Sequence, residues 1–553
     1  MEAKDIGSVQ ASRIDQALQG KTSGVYIAQT SGSPGAAMSV KIRGNSSNGK
    51  NDPLYIVDGI KTSGIDFLSP NDIESVEVLK DSASSAIYGS EGGNGVIIVT
   101  TKRAQKGVSE ISYNYYHGIQ SVSNYVKMMS GTEYIDYMRQ AYVSEFALDP
   151  TMPKYISQMK VYAKWDSTNA NTNWMSKIIN TAPVDEHNLS FSSANEKGQM
   201  FLSGTYYSQD GIVGGAKNNY TRYNFNFNGD TKIKDWLTVG ARVSYTHSKK
   251  NNLNESSEFG GIVSDAMFFD PTVPVYYNDI SELPSNVQND PARLGAMVKN
   301  ADGKYFHLSN TTLGEAVNPL AQIYNTHNST TTDKLLGNIN AEIKFLKDFT
   351  FNMKLAVDYS LIYNNIFSPK YYYSEENLGI NDTTNSNVRN TYQKLFRYTY
   401  ENYLTYKKTF GDHSIEALAG FSYEKFTPSY LDVTSFGVPH NDAKYAYFYN
   451  TLNSLPNNIP LINGGMGTIN VTDPSVINNS AGGVIVNNYS EILNSYFGRV
   501  TYNYKEKYLI QGNIRRDASS LFGPAYRSGI FPSFSLGWNI SREKFFTLTT
   551  HVI

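Results

Sequence analysis

The chain has no cysteine in 553 residues, which excludes disulfides and thiolate metal sites and leaves stability to packing and backbone hydrogen bonding. Neither sign of charge is in excess. Lys and Arg total 48 against 50 Asp and Glu, a formal net charge of −2, so no polyanion partner is indicated and no nucleic acid is expected. Long apolar runs are missing too: no stretch of 18 apolar residues occurs and the mean hydropathy is −0.41, so no transmembrane helix is encoded. The opening MEAKDIGSVQ lacks the apolar core of a secretory leader.

Catalytic signatures are equally scarce. Gly20-Lys21-Thr22 has the tail of a phosphate-binding loop, but Asp15 stands where its first glycine belongs and no strand precedes it. The eight histidines form no paired metal-ligand spacing, and His187 beside Asp185 and Glu186 reads as a solvated loop end. No nucleophile elbow is present, and carboxylate pairs for glycoside hydrolysis stay open because only spatial separation identifies them. No cofactor, no metal and no enzymatic activity are expected.

What the chain does contain is concentrated in residues 32–102. Glycines here punctuate apolar runs rather than interrupt them. Ser39 to Arg43 and Pro53 to Val57 read as short strands, and Asp58-Gly59 between Val57 and Ile60 signals a tight hairpin. Asn71, three residues before Glu74, reads as a helix N-cap, and Ser82 to Tyr88 as a short helix stopped by Gly89. Gly89 to Gly95 reads as a turn, and the β-branched Val96 to Thr100 as a buried strand. Together these make a small α+β unit of roughly 90 residues, an ordinary domain size.

From Glu110 onward, two-residue alternation recurs in blocks of about ten, the length of a tilted membrane strand. In Arg222 to Asn228, Tyr223, Phe225 and Phe227 oppose Arg222, Asn224, Asn226 and Asn228. Leu237 to Thr246, Asn338 to Phe345, Phe351 to Tyr359, Ser414 to Tyr423, Arg499 to Lys505 and Pro532 to Ile540 repeat the scheme. An apolar outer face with a polar lumen explains it; a two-layer sandwich explains it nearly as well. Connections decide for the barrel, because very short ones (195–198, 229–234, 347–348, 411–412 and a turn at Glu506) alternate with long ones. The long ones span roughly 121–184, 209–219, 249–332, 361–391, 426–490 and 518–528, and tight turns at one rim with long loops at the other mark membrane barrels. Such barrels hide from hydropathy, and 42 tyrosines suit their aromatic girdles as well as carbohydrate-binding surfaces.

The series LQGKTSGV, SGSPG, IRG, PLYIVDG, NDIESVEVLKD, SAIYG and NGVIIVTTK resembles, in order and spacing, the plug of TonB-dependent outer-membrane transporters, most nearly the SusC/RagA family of nutrient importers. TRYNFNFNGDTKIKDWLTVGARVSYTHS and SYFGRVTYNYKEKYLIQGNIRRDASSLFG resemble strands of its barrel. The resemblance implies a plug over 1–106 with its first strand missing, then a partial all-β transmembrane barrel over 107–553. About 12 antiparallel strands are expected, against the 22 of plugged transporters, hence a fragment left as an open, curved sheet with a free edge at 531–541 and disorder after Phe546. It also implies location in the outer membrane among its lipids and import of a glycan, oligosaccharide or peptide. TonB would supply force through a segment absent here, and a SusD-like lipoprotein would form a lid. The plug latch implied is Arg43, with Glu342 and Asp358 on predicted lumen faces as its partners. Gly44, Asp58, Gly59, Tyr88, Gly89, Asn94 and Gly95 are expected to be turn or structural positions. The competing readings are a soluble or surface β-rich carbohydrate-binding or adhesion protein and a surface glycanase.

Overall fold

Asp58 and Gly59 both take positive φ, 48° and 75°, and reverse the chain so that Val57 pairs with Ile60. That is the hairpin an Asp-Gly step between apolar runs predicts, because such a turn twists in step with its strands. The computed structural model describes residues 13–49, 51–80, 86–148, 150–151, 170–258, 260–309, 316–373, 386–436, 438, 441–446 and 484–547. In the N-terminal unit, β1 (Val25–Gln29) and β2 (Met38–Ile42) form an antiparallel ribbon. β3 (Leu54–Val57), β4 (Ile60–Thr62), β5 (Ile73–Leu79) and β6 (Val96–Thr101) form a sheet in the order β4-β3-β6-β5. β6 runs parallel to β3 and antiparallel to β5, and a central strand covered on both faces favours the β-branched sequence VIIVTT. Helix Ile14–Leu18 joins a core of Val40, Val57, Leu68, Ile97 and Val99.

The helix expected from Asn71 is a strand. Ser69 accepts from the Asn71 N–H and caps a single 3-10 turn, Pro70–Asp72, after which the chain enters β5. Ile73, Val76 and Val78 are β-branched; they lose rotamer freedom in a helix and pack well on β6. Of the helix expected over Ser82 to Tyr88, residues 81–85 lie outside the described residues. From Ala86 to Asn94 the chain is a 3-10 turn broken at Gly89.

The wall consists of β7 (Ser109–Gln120), β8 (Ala182–Ala194), β9 (Gly198–Gly211), β10 (Gly215–Lys234), β11 (Leu237–Asn251), β12 (His327–Phe345), β13 (Phe349–Ser368), β14 (Asn387–Phe410), β15 (His413–Phe436), β16 (Val484–Asn488), β17 (Glu491–Tyr504), β18 (Tyr508–Ser519) and β19 (Ser528–Trp538). Each pairs antiparallel with the next in chain order, except that β16 and β17 share one edge of β15. The path from β7 to β19 therefore holds twelve strands, as expected. Among the described residues β7 pairs only with β8 and β19 only with β18, so the sheet is open.

Strict up-and-down order sends successive connections to opposite rims. All long ones leave from one rim, with turns such as 195–197, 346–348 and 411–412 at the other. Three expectations are corrected. The long connection expected at 209–219 is only Ile212 to Gly214, because β9 and β10 extend toward it, β10 with a register shift between Gly215 and Asn219. Strands outrun the expected ten residues, and β14 and β15 reach 24 each. At roughly 3.3 Å per residue that is about 80 Å, well past a ~30 Å hydrocarbon core even when tilted. His187 is not a loop end: it sits in β8 beside Tyr115, ring centroids 4.8 Å apart.

The faces of the sheet settle barrel against sandwich. Asn226 on the concave face is 5% exposed while its neighbour Phe225 is 46% exposed, and Ile339, Ile514 and Phe534 likewise face outward. A water-soluble sandwich buries the opposite set. At the long-loop rim, helices Trp174–Ile178, Ile262–Phe268 and Pro319–Asn325 form a separate small core, with Trp174 edge-on to Phe269. Among the described residues no helix is long and apolar enough to cross a membrane.

Candidate functional site

The polar face that alternation assigned to β10 meets the N-terminal unit directly. Asn224 donates to the Phe67 carbonyl, which also accepts from Thr246 at 3.0 Å. Asn226 and Asn188 both donate to the Asp72 carboxylate, and Asn228 donates to Thr101 Oγ1 at 3.3 Å. In the other direction, Asn71 donates to Glu186 on β8 at 2.6 Å. Arg222 reaches the Asp66 carbonyl at 3.1 Å with its guanidinium over the Tyr207 ring. Asp72 is fully buried. Burial pushes its carboxyl above the ordinary value, and Ser203, Asn188, Lys102 and Asn226 pull it part of the way back.

Charge enters at the β3–β4 hairpin. Lys61 bridges Glu91 of its own unit and Glu424 of β15, the latter at 2.8 Å, and Arg397 of β14 holds the same Glu424 at 3.2 Å. Lys334 of β12 donates to Thr62 Oγ1 at 2.9 Å while bonding Asp358 at 2.6 Å. Lys354 of β13 donates to the Gly59 carbonyl at 3.0 Å and pairs with Glu401. Three consecutive wall strands and one more beyond thus grip one hairpin, through side chains that are mostly out of water and for which such bonds are strong.

Arg43 lies exposed at the end of β2 with φ 56°, its N–H on the Gly24 carbonyl, and Gly44 follows at φ 92°. The wall carboxylates expected to serve it are engaged by lysines: Glu342 by Lys344 at 3.1 Å and Asp358 by Lys334. Asp358 reaches the N-terminal unit at Thr62, through Lys334. Asp58 accepts from the Thr101 N–H and hydroxyl, tying its hairpin to the end of β6. Tyr88 is half-buried, and burial raises its phenol. Asn94 accepts from Ser46 and donates to the Asp52 carbonyl, and the Gly95 carbonyl accepts from the Leu54 N–H. Gly89 is a close approach: a Cβ there would lie 1.9 Å from Asp517 of β18.

Lys61, Thr62, Asp72, Lys334 and Glu424 were not singled out from sequence. Their only signal was position, a polar residue on the lumen face of a strand or in the loops of the N-terminal unit.

Residues 1–96 match the family model described as the TonB-dependent receptor plug domain. A TonB-dependent receptor of Formosa agariphila is 30% identical over 99% of this chain and 49% of its own length. The TonB-dependent receptor SusC of Bacteroides thetaiotaomicron is 26% identical over 96% of this chain and 48% of its own. The chain spans about half the length of the curated relatives it matches. Among solved structures, that of the RagAB peptide transporter superposes with a TM-score of 0.74 at 22% identity, covering 99% of this chain and 57% of that one. The ferric citrate transporter FecA gives 0.51 at 9% identity, over 97% and 58%. With its plug, its open up-and-down wall and the polar seat between them, the chain belongs to the TonB-dependent receptors of the SusC/RagA type.

Proposed function

We propose that this chain serves in import across an outer membrane, as the plug and plug-bearing wall of a transporter for glycans or peptides. A SusD-like lipoprotein closes over the long-loop rim, TonB pulls on the plug from the short-turn side, and lipid covers the apolar outer face. The observation that carries the reading is the chemistry of the seat. The core of the plug is almost wholly its own, with only Leu336 and Ala356 contributed by the wall. Hydrogen bonds and ion pairs join the two parts instead. Water can replace such bonds once it enters, so a pull can part plug from wall without exposing a hydrophobic core. Release breaks the contacts of Lys61 with Glu424 and of Lys334 with Thr62, and Arg43 belongs to the proposal as a further plug cation whose contacts change in the same step.

The chain has no native thiol, so an engineered pair reports cleanly. Thr62→Cys with Lys334→Cys, joined by a short bis-maleimide, should abolish uptake of labelled oligosaccharide or peptide while each single variant still imports. Undiminished uptake by fully cross-linked protein would overturn the proposal.

A further inference from the structure

On its long-loop side the plug borders a cavity of about 350 Å³, toward the small end of the roughly 300–1,000 Å³ range of ligand clefts. Its floor is the plug segment holding Ser63, Asp66 and Phe67, and its wall is the upper part of β10 to β14. Most charge there is matched within the protein: Arg13 pairs with Asp15 and Lys334 with Asp358. Two groups are not. Among the described residues neither the Lys250 ammonium nor the Asp66 carboxylate has a hydrogen-bond or ion-pair partner. Glu255 acts on Lys250 through space, but its carboxylate already accepts from the Asn218 amide. A cation on the wall and an anion on the plug therefore face one cavity without facing a partner.

The aromatic residues of the cavity argue against a sugar ring, which packs its apolar face on an open aromatic one. Phe67 is 6% exposed and carries the Lys334 ammonium 5.0 Å from its ring centroid. Tyr220 packs on Gly35 so closely that a Cβ there would lie 2.8 Å from the ring. The rest of the lining is hydroxyls such as Thr246, Ser248 and Thr332, with apolar Ile362 and Leu395. Hydroxyls both donate and accept, as successive peptide N–H and C=O groups require.

We infer that this cavity is a peptide subsite, taking a short peptide that presents an ammonium to Asp66 and a carboxylate to Lys250. The inference rests on the importer reading and narrows its substrate to peptide. Calorimetric titration of the purified protein in detergent tests it, with trialanine, N-acetyl-trialanine, trialanine amide and maltotriose as probes. Trialanine should bind, and capping either end should weaken binding about tenfold or more, the loss of one charge-assisted hydrogen bond. Lys250→Gln should erase the preference for free acid over amide and leave the preference for the free amine; Asp66→Asn should do the reverse. No binding of trialanine, equal binding of the three peptides, or tighter binding of maltotriose would overturn it. The comparison among probes on unaltered protein decides even if a variant fails to fold. Binding is read without TonB or a membrane, so its failure leaves the importer reading standing, and failure of the cross-linking test leaves this result standing.

Discussion

At residue scale the plug seat depends on a few side chains that cannot be exchanged for near relatives. Gly89 combines φ 69° with a Cβ position 1.9 Å from Asp517, so Gly89→Ala has to move backbone or carboxylate. Strain at such a position costs of order 1–3 kcal/mol, and the expected outcome is a plug loosened at β18, read as faster proteolysis of the 86–94 segment. Glu424 holds both Lys61 and Arg397. Glu424→Gln removes the charge both cations share and should weaken the seat by roughly 1.5–3 kcal/mol, the size of a hydrogen bond to a charged group. Raised conductance of the protein in planar bilayers would register it; unchanged conductance would show that Lys61 holds through Glu91 alone.

Among elements, the loop layer carries its own chemistry. Asp265, in helix Ile262–Phe268, is 2% exposed, and burial raises its carboxyl to about 7, with a bond from the Val317 backbone opposing. A carboxyl raised in the folded state binds its proton more tightly there than when unfolded. Its contribution is therefore full below the ordinary carboxylate range and is lost progressively as pH rises toward and through about 7. Hydrogen exchange across 252–326 should be slower at pH 5 than at pH 8, and Asp265→Asn should flatten the difference. An unchanged profile in that variant would assign the pH dependence to another group.

Over the whole molecule, two kinds of adhesion are separated in space. The plug has its own apolar core, the wall has a continuous ladder of strand pairs, and mainly polar contacts join them. Urea in detergent should therefore act in two steps, releasing the plug before the sheet melts. A thiol-reactive probe at Thr62→Cys would follow the first step and far-ultraviolet circular dichroism the second; a single coincident transition would show the two to be one cooperative unit.

Much of this was legible in the sequence. Alternation in Arg222 to Asn228 assigned the asparagines to one face and the aromatics to the other, and Asp58-Gly59 marked its hairpin, because both signals are local. Strand number and the rim of the long loops followed from the same periodicity. Where local signals compete, as at Asn71, packing against β6 decided for a strand over a helix cap. Period-two alternation says which way a side chain points but not which group stands opposite it across the lumen. The bond from Lys61 to Glu424 joins positions 363 residues apart. It arises from the curvature of the wall and the depth of the plug within it, which no stretch of sequence encodes alone. The sequence by itself determined the plug, the strands and their faces; tertiary structure decided which lumen residues hold the plug, because those contacts exist only once the sheet has curved around it.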